Sequence, residues 1–326
     1  MEPNQRAGQI DVVRSLAIIG VICLHSRFEH RFDPATLSVC AFLSVFFDWA
    51  VLAFFYLSGL LLDEKKPVIE FLKKRCWSLL VPFWFYNLFY NLAFGGWLRL
   101  SGSHINGFQW SPTLLLTGWL HSPAFQLYFL PYLFVIALGV FCLCKFINHR
   151  WQPWLFGASV VLMAAFYHHT GWPNRSHGPE WVNLPLYLVA FLLGVVCRPF
   201  FAGKPSRKFV MLSLSVGFLS LLLPQLVLQS LLVPPLLCMA VKTAPFLGES
   251  QLLQKIGRSS GVIYLWHTPI MLPAFTTMMA LGRVPAIVNL GASLIASIAL
   301  CVLLRHSMKK FWKRIFKTEL PRSLVP

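Results

Sequence analysis

Within one apolar run, DVVRSLAIIGVICLH, stand an arginine and a histidine eleven residues apart, Arg14 and His25. At about 100° per residue a helix brings such a pair back to nearly the same face after about three turns, separated by about 16 Å at about 1.5 Å per residue. A titratable imidazole on one stripe with a fixed cation suits general-base chemistry: the ring takes a proton from an attacking hydroxyl while the guanidinium meets an anionic or polarised partner. Asp11, three residues before Arg14, can pair with it, and Glu29, four after His25, can orient the imidazole if the helix runs on. The same residues also fit a plainer role, an arginine snorkelling at a membrane surface and a histidine at the far edge of a span.

Four further stretches carry polar groups inside apolar sequence. In FFDWAVLAFFYLSGLLL, Asp48 is a carboxylate that costs about 2.5 to 3.5 kcal/mol at a bilayer centre unless it faces a partner or water. Ser58 in the same stretch offers a hydroxyl donor, and Gly59 permits close approach of another backbone or reads as a packing notch. FLKKRCWSLLVPFWFYNLFYN places Lys73, Lys74 and Arg75 before a proline and an aromatic helix. Such a cluster suits phosphates, with arginine able to grip one bidentately, and equally suits a positive-inside anchor. QLYFLPYLF contributes the phenol of Tyr128. IGRSSGVIYLWHTPI contributes His267, either a structural histidine bonded to a neighbouring carbonyl or a second catalytic group. His168, His169 and His177 fall near the outer surface without metal-site spacing, and the eight cysteines show no C-x-x-C, so neither a metal nor a disulfide framework is expected.

The elements that position these groups follow from composition. With 57% hydrophobic, 15% aromatic and only 12% charged residues, against about 25% charged in soluble domains, the chain reads as a membrane protein. Its formal charge of +17 is topological rather than a sign of nucleic acid, because the basic residues punctuate apolar runs. An all-α polytopic fold of about ten spans is expected, at about 11–26, 37–62, 78–98, 126–147, 154–170, 184–199, 209–223, 230–245, 261–281 and 286–304. Pro224, Pro234 and Pro235 are expected to break the seventh and eighth. With both termini cytoplasmic, 23 of the 28 Lys and Arg face inward and 5 outward, the bias that sets orientation. No cleaved leader, internal repeat or fused soluble domain is expected: residues 1–326 form one transmembrane domain with a basic cytoplasmic tail at 305–326.

These motifs, in this order, resemble those of the acyltransferase family 3 membrane proteins. The points of likeness are Asp, two residues, Arg, ten residues and His in the first span, then Phe-Phe and Ser-Gly in the second. A basic cluster before Pro and an aromatic, the QLYFL stretch and the Ser-Gly, Tyr-Leu, His and Pro run ending near Ile270 complete the set. Tyr128 stands where the family usually has Trp, and Leu79 where a second arginine is common. The resemblance implies acyl transfer, commonly acetyl from acetyl-CoA, to a hydroxyl of a lipopolysaccharide, exopolysaccharide or other lipid-linked or surface glycan at the bacterial inner membrane. It makes Arg14 and His25 the required pair, with His25 as general base or acyl relay. Lys73, Lys74, Arg75 and Arg14 would meet acyl-CoA, and Ser58, Tyr128, Asp48 and Glu29 become substrate or oxyanion candidates. No metal is implied. The competing class is a multi-span transporter of a solute or lipid-linked sugar, for which buried Arg, His and Asp are equally natural. Labelled acyl transfer, or its absence alongside solute flux, separates the two.

Overall fold

The computed structural model describes residues 3–25, 46–90, 125–147, 183–202, 226–267 and 271–316, with a few isolated positions between 38 and 43 and between 154 and 159. Among the described residues the chain is helical and forms no strand. The helices are α1 (Pro3–His25), α2 (Trp49–Leu60), α3 (Val68–Arg75), α4 (Phe129–Phe146), α5 (Leu184–Ala202), α6 (Leu226–Thr243), α7 (Gln251–Arg258), α8 (Ser260–Trp266), α9 (Leu272–Leu281) and α10 (Ala286–Phe316). Three stretches among the described residues are long and apolar enough to cross a membrane: Gly8–His25, Phe129–Phe146 and Ile287–Lys310. Trp49–Leu60, Leu184–Arg198 and Leu231–Thr243 are apolar but shorter. Most of the expected fifth span, all of the expected seventh and Pro224 lie outside the described residues.

Helix α1 is the axis on which the rest is arranged. Its first half packs Ile10, Val12 and Val13 against Tyr56, Leu57 and Leu60 at the end of α2, and its second half sets Gly20 against Phe47 and Ala50 at the start of α2. The two helices are therefore antiparallel. Helices α7 and α8 run the other way, alongside α1 in the same sense: Gly257 meets the Asp11 backbone, and His267, just past α8, meets His25. A Cβ at position 257 would lie 1.8 Å from the Asp11 carbonyl oxygen, so only glycine admits this contact.

The expected notch in the second span is real. A Cβ on Gly59 would lie 2.0 Å from the Phe191 carbonyl oxygen, and one on Gly194 would lie 2.0 Å from that of Tyr56. Helices α2 and α5 thus cross backbone to backbone, in the way small residues allow between apolar helices. Around the crossing, Phe55 stacks on Tyr187 with centroids 4.6 Å apart and meets Phe129 edge-on at 4.9 Å. Phe129 in turn reaches Tyr264 of α8 at 5.3 Å. Aromatic contact therefore ties α2, α4, α5 and α8 into one core.

Two prolines behave differently from expectation. Pro234 and Pro235 lie inside α6, which continues through them. A helix among other helices tolerates the two missing donors because neighbours and local adjustment satisfy the freed carbonyls. Pro82 acts upstream: α3 passes through a widened turn at Cys76–Leu80, where the Val81 amide donates to the Cys76 carbonyl, before a helix over 81–90. Pro82 has no amide to give its ladder, and one turn of wider hydrogen bonding absorbs the mismatch. That turn separates the basic end of α3 from the aromatic helix beyond it.

Candidate active site

The imidazole of His25 meets that of His267 across 242 residues of chain, His25 Nδ1 to His267 Nε2 at 2.8 Å, with ring centroids 5.0 Å apart and planes 29° apart. His267 is fully buried. Its Nδ1 sits 2.9 Å from the carbonyl oxygens of both Ile263 and Tyr264. A carbonyl only accepts, so His267 Nδ1 carries the proton, and in the neutral ring Nε2 is left as an acceptor. His25 must then donate through Nδ1–H. In the neutral ring of His25 the lone pair is therefore on Nε2, the form a general base needs.

The segment that carries His267 is held by the helix over 81–90. The Tyr90 hydroxyl donates to the Leu265 carbonyl, and Trp266 Nε1 donates to the Tyr86 hydroxyl at 3.1 Å. Tyr86 and Tyr90 are four residues apart, one turn along a helix, so both reach α8 from the same side. Their rings, with Phe89, pack on Trp266 at 5.5 to 6.4 Å. These contacts fix the two residues that precede the histidine, so His267 meets His25 from a rigid frame. Reading the sequence assigned no role to Tyr86 or Tyr90; the i, i+4 phenols of YNLFYN were the available signal.

At the other end of α1 the polar groups are cationic. Asp11 Oδ1 accepts from Arg14 Nη1 at 3.4 Å, and Asp11 Oδ2 faces Arg258 Nε at 3.4 Å. Arg305 of α10 lies within electrostatic range of both Asp11 and Arg258, and Arg75 within range of Arg14. Arg75 rests on Phe71, its guanidinium carbon 5.5 Å from the ring centre, and Phe71 stacks face to face on Phe141 at 3.9 Å. This inward anchoring sets Arg75 apart from Lys73 and Lys74, which are exposed.

The remaining candidates are distributed around these two poles. Asp48 occupies the position before α2, with its side chain making no cap bond to the helix, on the His25 side of the α1–α2 pair. A carboxylate there is favoured by the helix dipole. Ser58 is half-buried beside the Gly59 crossing, and among the described residues no hydrogen bond joins it to either histidine. Tyr128 receives a hydrogen bond from the Tyr187 hydroxyl at 3.3 Å. Its neighbour Phe129 packs on Tyr264 at 5.3 Å, and Tyr264 packs on His267 at 6.1 Å. Leu79 is buried in the core, a place where an arginine would lack water. Glu29, His168, His169 and His177 lie outside the described residues. Among the described residues no cluster of His, Cys, Asp or Glu could hold a metal.

Residues 8–306 match the family model described as an acyltransferase domain, Acyl_transf_3. No curated protein and no solved structure matches the chain. The matched region takes in the histidine pair, the arginine cluster and every helix between them, nearly the whole chain, and on that ground the protein belongs to acyltransferase family 3.

Proposed function

We propose that this membrane acyltransferase moves an acyl group, acetyl in the simplest case, from cytoplasmic acyl-CoA to a hydroxyl of a glycan or lipid-linked saccharide at the bacterial inner membrane. One observation carries the reading: the His25–His267 pair sets the proton on His25 Nδ1 and leaves Nε2 basic, inside a chain whose family is that of acyl transfer.

In the proposed step the acceptor hydroxyl gives its proton to His25 Nε2 as its oxygen attacks the thioester carbonyl. His267 Nε2 accepts from Nδ1–H and bears part of the positive charge that forms on His25. Collapse of the tetrahedral intermediate breaks the carbon–sulfur bond, and the departing thiolate recovers the proton from His25. The products are the O-acyl ester and free CoA, so no further reactant is needed. The developing oxyanion requires a donor. Tyr128, whose neighbour Phe129 packs on Tyr264 beside His267, is the candidate; Arg14 and Ser58, at the opposite end of α1 and α2 from His25, are candidates for the path of the thioester arm. Asp48 and Glu29 remain candidates for the acceptor side, and Lys73, Lys74 and Arg75 for the entry of CoA. In this arrangement about ten spans with both termini cytoplasmic put the arginine pole at the inner mouth.

The test is transfer of label from radiolabelled acetyl-CoA to a glycan fraction in membranes that contain the protein, with release of free CoA. Solute flux with no transfer to any glycan fraction would favour a transporter and overturn the proposal.

A further inference from the structure

Among the described residues, four guanidiniums from four separate segments gather around one carboxylate, that of Asp11. Arg14 of α1 and Arg258 at the end of α7 both reach Asp11, at 3.4 Å each. Arg305 of α10 acts on Asp11 and Arg258, and Arg75 at the end of α3 acts on Arg14. Three positive charges therefore stand in excess. Among these groups Arg305 Nε is buried, a donor to which the described residues supply no hydrogen-bond partner. Like charges gathered around one carboxylate repel one another, and a buried donor without a partner is left desolvated. A fold that gathers these groups from four segments stores an affinity for a polyanion.

The distance to the histidines narrows the ligand. Asp11 and His25 are fourteen residues apart on one helix, about 21 Å at about 1.5 Å per residue. A single ligand serving both poles therefore has its negative charges at one end, its reacting carbon at the other, and a long uncharged arm between. Coenzyme A has this layout: a pyrophosphate and a 3′-phosphate, then pantetheine, then the thioester. A phospholipid phosphate carries one charge against an excess of three, and its uncharged chains end in methyl groups rather than in a reacting carbon. Arginine, with its planar fork, suits phosphate oxygens better than a point charge does.

We infer that Arg258 and Arg305, together with Arg14 and Arg75, form the site for the phosphates of the donor nucleotide, and that Asp11 is the internal counter-ion that holds Arg14 and Arg258 in place before the donor arrives. The inference rests on the acyl-CoA reading of the protein. Arg258 and Arg305 are ligand-binding residues in it, rather than positive-inside anchors alone.

The experiment is calorimetric titration of the purified full chain in detergent with CoA, adenosine 3′,5′-bisphosphate, pantetheine and inorganic pyrophosphate, and with micelles containing an anionic phospholipid. R258Q and R305Q should each weaken binding of CoA and of the bisphosphate by about 10- to 100-fold, the loss of one charge-assisted hydrogen bond, and leave pantetheine binding unchanged. R258K and R305K, which keep the charge and preserve folding if the glutamine variants do not, should recover part of the loss. Wild-type affinity for CoA in both glutamine variants, or in both lysine variants should the glutamine variants fail to fold, overturns the site. Pyrophosphate binding that depends on Arg258 and Arg305, with no binding of CoA, keeps the phosphate site and removes CoA as the donor. Dependence of phospholipid binding alone on these arginines overturns the nucleotide assignment, and a wild-type protein that binds none of the anions overturns both.

Discussion

His267→Ala removes the acceptor 2.8 Å from His25 Nδ1 and the proton shared with the carbonyls of Ile263 and Tyr264. Two consequences follow, and they are separable. Loss of a buried ring and its hydrogen bonds should cost about 1 to 3 kcal/mol of stability, visible as a lower melting temperature of the purified protein. In catalysis, the variant loses the contact with His267 that sets the proton on His25 Nδ1. The energy of a single such hydrogen bond, about 1 to 3 kcal/mol, corresponds to about 5- to 150-fold in rate. That lies below the about 10²- to 10⁴-fold attributable to the base itself. The assay is labelled acetyl transfer at saturating and limiting acetyl-CoA. kcat should fall by this factor while KM for acetyl-CoA stays nearly constant, since His267 is remote from the arginine pole. His267→Gln supplies an amide oxygen as acceptor and should recover part of kcat, an ordering that a purely structural role for His267 does not produce. An alanine variant that inserts normally and turns over at the wild-type rate would refute the positioning role.

Further outcomes follow from the same geometry. Gly194→Ala forces a methyl to within 2.0 Å of the Tyr56 carbonyl and should lower thermal stability by about 1 to 3 kcal/mol; an unchanged melting curve would show that α2 and α5 do not cross there. Arg14→Ala should raise KM for acetyl-CoA and Arg14→Lys should restore it only in part, because a point charge does not reproduce the fork on Asp11; a lysine variant with the wild-type KM would reduce Arg14 to an interfacial anchor. Cysteine-labelling should find 65–75, 203–208 and the tail after 305 on the cytoplasmic side and 174–180 outside; a tail labelled from outside would overturn the ten-span orientation and the inner placement of the arginine pole.

How far the sequence made the site legible depends on the range of each contact. The stripe from Arg14 to His25 and the pairing of Asp11 with Arg14 were readable because helical geometry fixes neighbours within a few turns. Gly59 was readable as a notch for the same local reason, although only the fold names Phe191 as what fills it. The partner of His25 was not readable: the sequence offered Glu29, four residues on and outside the described residues, whereas His267 lies 242 residues away. Its carbonyl bonds fit the structural reading, and its bond to His25 brings it into the site as well, so the two readings were not exclusive. Arg258 and Arg305 were visible only as cytoplasmic charge, because a positive-inside count treats every basic residue alike and carries no information on convergence. Pro234 and Pro235 were read as breaks by the rule for helices in water; between packed apolar helices that rule relaxes.

The central claim is that His25 is the base of an acyl transfer. Its most direct test is labelled acetyl transfer from acetyl-CoA in membranes carrying His25→Ala at wild-type protein level, with CoA binding measured in parallel. The account predicts a loss of about two to four orders of magnitude in transfer with CoA affinity preserved, because the arginine cluster lies at the opposite end of α1. Transfer at the wild-type rate by the alanine variant would contradict it.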